Sequence, residues 1–183
     1  MIRFPVYTID NAPAASRPSL AALRSAFGFI PNMAGAMAGS PVLIGSLVAL
    51  FGQVHGGSFT EAQIQVLLLT NAVTNASEWA VAFHSALARQ QGIEAVDIEA
   101  IRSRGRPGDP TLAALSGLAR ALIEQKGRPG APEIAAFLDA GFGPEHVLEM
   151  IAVSAASTMT NYTASLTRPQ LEAAFLADTW HPA

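Results

Sequence analysis

The polar residues best placed to do chemistry fall in one stretch, residues 60–92, where apolar neighbours surround a glutamine, a serine and a histidine. If a helix begins just before Ser77, then Ser77, Ala80 and His84 lie at about 0, 300 and 340 degrees around its axis and share one narrow face. In the helix expected before it, Gln65 falls on the apolar side that is predicted to pack inward. The pattern predicts one buried polar site built by two neighbouring helices.

His84 is the member of this group that can exchange a proton near neutral pH, because an unperturbed imidazole has a pKa of about 6.5. A buried histidine and a buried glutamine each need a partner, since an unpaired buried polar group costs roughly 1 to 3 kcal/mol. Two interpretations stay open. Gln65 and His84 satisfy each other as a structural pair, or His84 acts on a ligand as an acid or base.

A serine–histidine nucleophile pair is excluded within one continuous helix. Ser77 and His84 are separated there by roughly 10.5 Å along the axis, whereas proton transfer needs roughly 3 Å. Such a pair becomes feasible only if Ser77 precedes the helix and folds back.

The elements that must position these residues are predicted to be helices, because Pro, Gly and small polar residues divide the chain into helical blocks without a set of alternating strands. Clear start signals are Ser40 before Pro41, and Thr60 with Gln63 three residues later, which is a capping-box spacing. We therefore expect a single all-α domain over residues 1–183. Helices are predicted after Ser19 as far as Phe27, and at 41–55, 60–74, 76–91, 94–102, 110–126, 132–140, 144–166 and 169–176.

No metal or cofactor is expected. His146 and Glu149 lie three residues apart on one predicted helix face, but two donors fall short of the three or four that a metal site ordinarily needs. His55 and His181 have no second ligand at a matching spacing.

The composition narrows the classes of partner. Among 183 residues there are 11 Lys+Arg and 14 Asp+Glu, so the chain lacks the basic surface that nucleic-acid binding needs. It contains no cysteine, which excludes disulfides, thiolate nucleophiles and iron–sulfur clusters. Its apolar runs are shorter than the roughly 20 residues that span a bilayer, so we expect a cytoplasmic protein without a membrane partner.

The low charge content predicts self-association. Charged residues make up 14% of the chain and hydrophobic residues 50%, whereas soluble domains average about 25% charged residues. A domain of this size cannot bury so much apolar surface in one core, and we expect a homo-oligomer, whether dimer, trimer or hexamer.

The run from Asn75 to Gly92 resembles the signature hairpin of the carboxymuconolactone decarboxylase and alkylhydroperoxidase D (AhpD) superfamily. In that pattern an Asn precedes a Cys-x-x-Cys pair at a helix start, and a His follows four residues after the second Cys. Ser77 and Ala80 occupy the two cysteine positions and His84 the histidine position. The proton-relay Glu of the family falls on Gln65. Segments 28–32, 40–41, 161–162 and 174–180 resemble the peroxidase-related subgroup.

The resemblance implies an AhpD-like helical domain built around a central antiparallel hairpin, residues 60–92. It would also imply a thiol peroxidase, but Ser77, Ala80 and Gln65 cannot supply the cysteine pair and the relay carboxylate. The decarboxylase branch implies cofactor-free acid/base chemistry, which needs no sulfur.

We therefore predict an enzyme in which His84 is the acid or base acting on a small organic acid, lactone or carbonyl compound. Ser77 and Gln65 are altered catalytic positions in this hypothesis, and Ala80, Asn161 and Tyr162 are placed at the pocket. The alternative is a descendant without catalysis that binds a small ligand or serves as an oligomeric scaffold.

Overall fold

The computed structural model describes residues 3–182, which form helices and loops and no strand. The all-α prediction is therefore confirmed. Two 3-10 turns, Ala14–Ser16 and Ala173–Asp178, accompany the α-helices. These helices are α1 (Arg17–Phe27), α2 (Asn32–Met37), α3 (Pro41–His55), α4 (Glu61–Thr74), α5 (Glu78–Gln90), α6 (Ala95–Arg102), α7 (Pro110–Glu124), α8 (Ala131–Asp139) and α9 (Pro144–Thr167).

Helix α4 lies in the middle of the core. Its ten residues from Ile64 to Val73 are all buried, which is typical of a helix enclosed on every side. Helices α5, α6, α7 and α9 pack around it. The capping box predicted at its start is present, because Thr60 and Gln63 each accept a backbone hydrogen bond from the other.

The start of α5 differs from the prediction. The helix begins at Glu78 rather than Ala76, because Ala76 has a left-handed backbone with φ of 52°. The N–H of Ser77 donates to the Ala72 carbonyl and that of Ala76 to the Val73 carbonyl, which is a Schellman ending of α4. Glycine is usual at the left-handed residue that ends a helix in this way, but residue 76 is alanine. The sequence therefore does not indicate that a helix ends there.

The N-terminal prediction was also shifted. Helix α1 starts at Arg17, with Pro18 in its first turn and Ser16 at the N-cap, so Ser19 lies inside the helix. Its end at Gly28 is as predicted, because Gly28 adopts φ of 79°. The short helix α2 was missed.

The prediction of an α-helix over residues 169–176 was wrong. Helix α9 ends where Arg168 adopts φ of 48°. The chain then runs along the N-terminus of α2, where the backbone N–H of Asn32 donates to Glu172 Oε1 at 2.6 Å and its side-chain amide donates to the Gln170 carbonyl. Only the 3-10 turn follows, and this turn contacts α5 and brings Phe175 to the site described below.

Candidate functional site

The structure brings Gln65 and His84 together. Gln65 lies in the second turn of α4 and His84 near the middle of α5, and each side chain is only 5% exposed. Nδ1 of His84 is 2.9 Å from Oε1 of Gln65. Because an amide oxygen only accepts hydrogen bonds, the ring proton lies on Nδ1 and donates to Gln65. This leaves the lone pair on Nε2, which makes no hydrogen bond to any residue of the described range 3–182.

The site keeps His84 uncharged. Burial lowers the pKa of its imidazole to about 3, and His55 adds a smaller electrostatic repulsion in the same direction. The charged ring would lose its hydration without gaining a carboxylate partner, since Gln65 is neutral. Near neutral pH, His84 is therefore a neutral imidazole that offers Nε2 as an acceptor.

His84 and Gln65 line a cavity of about 650 Å³ that also receives side chains from α1, α3, α9 and the C-terminal 3-10 turn. This volume suits a small organic molecule. Much of the wall is aromatic, formed by Phe27, Phe29, Phe51, Trp79, Phe83 and Phe175.

Phe83 contacts three of the other aromatic residues in this wall. Its ring stacks on Trp79 with centroids 4.9 Å apart and meets Phe27 and Phe175 edge-on at 5.6 and 5.1 Å. It also lies edge-on to the His84 ring at 5.3 Å. These geometries are the favourable ones for aromatic pairs, so the wall beside His84 is held in place by packing.

A second polar pair lines the same cavity and was missed in the sequence. His55 ends α3 and Glu61 begins α4, and Nδ1 of His55 lies 2.9 Å from Glu61 Oε1. The His55 ring stacks on Phe51 with centroids 5.6 Å apart. Only the turn between α3 and α4 brings these two residues together, and their spacing of six residues carries no recognisable motif.

Ser77 and Ala80, which stand where the pattern of the superfamily has its two cysteines, do not line the cavity. Ser77 is the N-cap residue of α5 and is 1% exposed, and its Oγ has no hydrogen-bond partner. Ala80 is fully buried. Ser77 does precede the helix, but no hydrogen bond joins it to His84, so the two form no nucleophile pair.

The structure also does not bring Asn161 and Tyr162 to the pocket. Asn161 is buried and donates from its amide to Ser157 Oγ at 3.1 Å. Tyr162 is 64% exposed. Neither lines the cavity. Thr160, on the inward face of α9, does so instead, because adjacent helical residues point in different directions.

Between residues 3 and 182, no three His, Asp or Glu side chains are grouped closely enough to hold a metal ion. His146 accepts from the Gly143 N–H, and Glu149 accepts from the Ser58 N–H. In the same range, no helix is both long and apolar enough to cross a bilayer.

Comparison with known proteins identifies the fold. No protein-family model matches the chain, and no curated protein matches it in sequence. In structure it is similar to an AhpD-core, peroxidase-related protein from Ralstonia eutropha, with a TM-score of 0.82, 18% identity, and 94% of this chain and 93% of that one covered. A peroxidase-related protein from Silicibacter sp. gives a TM-score of 0.78 at 17% identity, covering 95% of this chain and 92% of that one.

The debrominase Bmp8 has the same fold. A cysteine-to-alanine variant of that protein, in complex with 2,3,4-tribromopyrrole, matches with a TM-score of 0.76 and 16% identity, covering 97% of this chain and 96% of that one. The chain thus has the AhpD-like helical fold that the sequence resemblance predicted.

Proposed function

We propose that the cavity binds a small, largely apolar aromatic molecule with one acidic N–H or O–H group, and that Nε2 of His84 accepts this hydrogen. The observation that carries the proposal is the orientation of the His84 ring. Gln65 occupies Nδ1, and Nε2 is left as an acceptor without a partner in a cavity with aromatic walls. A ligand without such a donor would leave that acceptor unpaired, which disfavours its binding.

We further infer that the chain descends from the AhpD-like peroxidases and has lost their redox chemistry. The fold and the position of His84 support this descent, and the absence of cysteine removes the thiolate that peroxide reduction requires. The tribromopyrrole held by the debrominase variant is a small flat ring with an N–H, and this agrees with the ligand class proposed here.

The proposal is tested by fluorescence titration. The chain has two tryptophans, and only Trp79 lines the cavity, so Trp180→Phe gives a variant whose emission reports on the pocket. Titration with phenol is expected to quench Trp79 saturably. Adding His84→Leu should weaken binding about tenfold, the effect of one hydrogen bond of roughly 1.4 kcal/mol.

The matched control is His181→Leu. This side chain is 74% exposed and pairs with Glu78, so its loss should leave the titration unchanged. Equal affinity in the His84→Leu variant and its parent would overturn the role of His84. No saturable quenching by any compound of a phenol and pyrrole panel would overturn the ligand class.

A cofactor-free acid/base enzyme is the second candidate, and the His55–Glu61 pair on the same cavity favours it. A small organic acid, lactone or carbonyl compound in the cavity could exchange one proton with His84 and a second with the His55–Glu61 pair. We rank it second because an imidazole with a pKa of about 3 is a weak base. Turnover in a substrate screen that is lost in both His84→Gln and His55→Gln would support it, whereas full activity in His84→Gln would exclude it.

A further inference from the structure

The side-chain N–H groups of Gln65 are not used in its bond to His84. Oε1 of Gln65 accepts from Nδ1 of His84 at 2.9 Å, whereas Nε2 of Gln65 has no hydrogen-bond partner among residues 3–182. A carboxamide nitrogen carries two donors. The two residues together therefore offer a free donor on Gln65 and a free acceptor, Nε2, on His84. We call these two atoms the donor–acceptor pair.

Both atoms of the donor–acceptor pair open onto the cavity. In the described part of the chain, the polar side-chain atoms that are sealed from solvent without a partner belong to other residues, such as Asn71 and Asn161. Neither Nε2 of Gln65 nor Nε2 of His84 is among them, and both residues line the cavity. The small exposed fraction of each residue therefore includes its unpaired nitrogen, which faces the space that a ligand would fill.

The donor and the acceptor are close enough for one small molecule to contact both. Oε1 and Nε2 of Gln65 are bonded to the same carbon and lie roughly 2.2 Å apart, and the two ring nitrogens of His84 also share one carbon. Because a 2.9 Å hydrogen bond joins the two groups, the free nitrogens are at most about 7 Å apart. Hydrogen bonds of about 2.9 Å from each nitrogen can then meet on one small ring compound.

The other polar side chains of the cavity do not compete for this role. Thr160 is buried, and its hydroxyl donates to a carbonyl of its own helix at 2.8 Å. Nε1 of Trp79 is sealed from solvent and so does not face the cavity. The remaining four are exposed, so that solvent satisfies them: His55, Glu61, Gln90 and Gln91.

A ligand that fills the cavity takes the place of water at both nitrogens. A molecule with an N–H or O–H group alone would satisfy His84 and leave the donors of Gln65 unpaired. A buried donor without a partner disfavours binding. A site that presents hydrogen-bonding groups therefore discriminates against molecules that lack the matching group.

We propose that Gln65 is a specificity-determining residue whose Nε2 donates to a carbonyl oxygen of the ligand, beside the N–H or O–H group that His84 accepts. This inference rests on the proposed function and narrows its ligand class. The class becomes small aromatic compounds that carry a carbonyl oxygen next to the donor, such as 2-acylpyrroles and neutral aromatic carboxylic acids.

Isothermal titration calorimetry with two pyrroles tests the inference. 2-Acetylpyrrole has an N–H and a neighbouring carbonyl oxygen, whereas 2-ethylpyrrole is nearly the same size and has the N–H alone. We define the carbonyl preference as the Kd of 2-ethylpyrrole divided by that of 2-acetylpyrrole. Gln65→Met keeps the length of the side chain without its N–H groups, and the carbonyl preference should fall about tenfold, the effect of one hydrogen bond. Any change at His84 affects both pyrroles and cancels in this ratio.

The matched control is Gln53→Met on α3. This residue is exposed and does not line the cavity, so the same chemical change there should leave the carbonyl preference as it is in the wild type. An unchanged preference in Gln65→Met, with both pyrroles still bound, overturns the role of Gln65 and leaves the proposed function intact. Binding of neither pyrrole by the wild type overturns the proposed function and this inference with it.

NMR of the wild-type chain supplies a second measurement that does not depend on how the variant folds. The side-chain amide proton signals of Gln65 should move downfield when 2-acetylpyrrole saturates the cavity, and clearly less with 2-ethylpyrrole. The amide signals of Gln53 should stay in place with both compounds. Equal shifts of the Gln65 signals with the two pyrroles would contradict a hydrogen bond to the carbonyl oxygen.

Discussion

The hydrogen bond between Gln65 and His84 determines both the proton position and the charge of the ring. A carboxamide accepts from Nδ1 as a carboxylate would, but it carries no charge to stabilise an imidazolium. Desolvation therefore dominates and lowers the pKa of His84 to about 3. With the neutral Gln65 bound at Nδ1, His84 is a neutral imidazole whose Nε2 can accept a hydrogen bond.

Replacing this amide with a carboxylate should reverse the effect. In Gln65→Glu, a negative charge next to Nδ1 favours the charged imidazole, and the pKa of His84 is expected to rise by at least about one unit. The shift can be followed by NMR titration of the histidine ring protons. His181, which is 74% exposed and lies in the C-terminal segment, serves as the internal reference. An unchanged His84 titration would mean that the carboxylate is itself protonated or turned away.

The low pKa of His84 also makes folding depend on pH. Between pH 6.5 and about 3 the unfolded chain binds a proton at residue 84 that the native chain does not, so native stability falls as the pH falls. Above pH 6.5 both states are neutral there. Between pH 7.5 and 4.5, the wild type should lose roughly 3 kcal/mol more stability than His84→Gln, at about 1.4 kcal/mol per unit. Urea unfolding of both proteins measures this difference, and parallel pH profiles would refute it.

At the scale of single helices, two serines that occupy equivalent cap positions are expected to behave differently. Ser40 caps α3 by accepting from the Leu43 N–H, whereas Ser77 stands at the N-cap of α5 with no side-chain bond. Ser40→Ala should cost about 1 kcal/mol. Ser77→Ala removes a buried hydroxyl without a partner and should leave stability equal or raise it by up to about 1 kcal/mol. Denaturant unfolding of the two variants measures these changes in stability. An equal loss of stability in both would contradict the assignment of Ser77 as an N-cap residue without a side-chain hydrogen bond.

Local signals explain which elements could be predicted from the sequence. The Ser40–Pro41 start and the Thr60–Gln63 capping box act within one turn, so they are readable in the chain. The helical period also put Gln65 on the inward face of α4. The left-handed Ala76 gave no such signal, because alanine favours a continuing helix.

The remainder of the site depends on contacts between distant segments. Phe175 reaches the cavity because its 3-10 turn is held near α2 by Glu172, and His55 faces the cavity because α3 packs against α1 and α9. Periodicity within one helix contains no information on such contacts. The same limit explains Tyr162, which the sequence placed at the pocket and the structure leaves on the surface.

At the scale of the whole molecule, the cavity exists only because helices from both ends of the chain close around it. Its walls run from Ala22 in α1 to Phe175 near the C-terminus. Packing of these walls around the hairpin accounts for the 5% exposure of His84. The low pKa of His84 is thus a property of the assembled fold, since the isolated hairpin would leave the ring hydrated.

Enclosure predicts that an anionic ligand enters together with a proton. Benzoate is charged at pH 7, and the apolar cavity disfavours an unpaired carboxylate. Either benzoate binds as the neutral acid or its charge raises the pKa of His84 until the ring is protonated, and both routes take up one proton. Calorimetry in phosphate and in Tris should therefore give enthalpies that differ by the ionisation enthalpies of the two buffers for one proton. Affinity should fall about tenfold per pH unit above neutrality. In His84→Leu the buffer dependence should disappear if the proton is carried by the ring, and should persist if benzoate binds as the neutral acid. Buffer-independent enthalpies in the wild type would contradict this uptake of a proton.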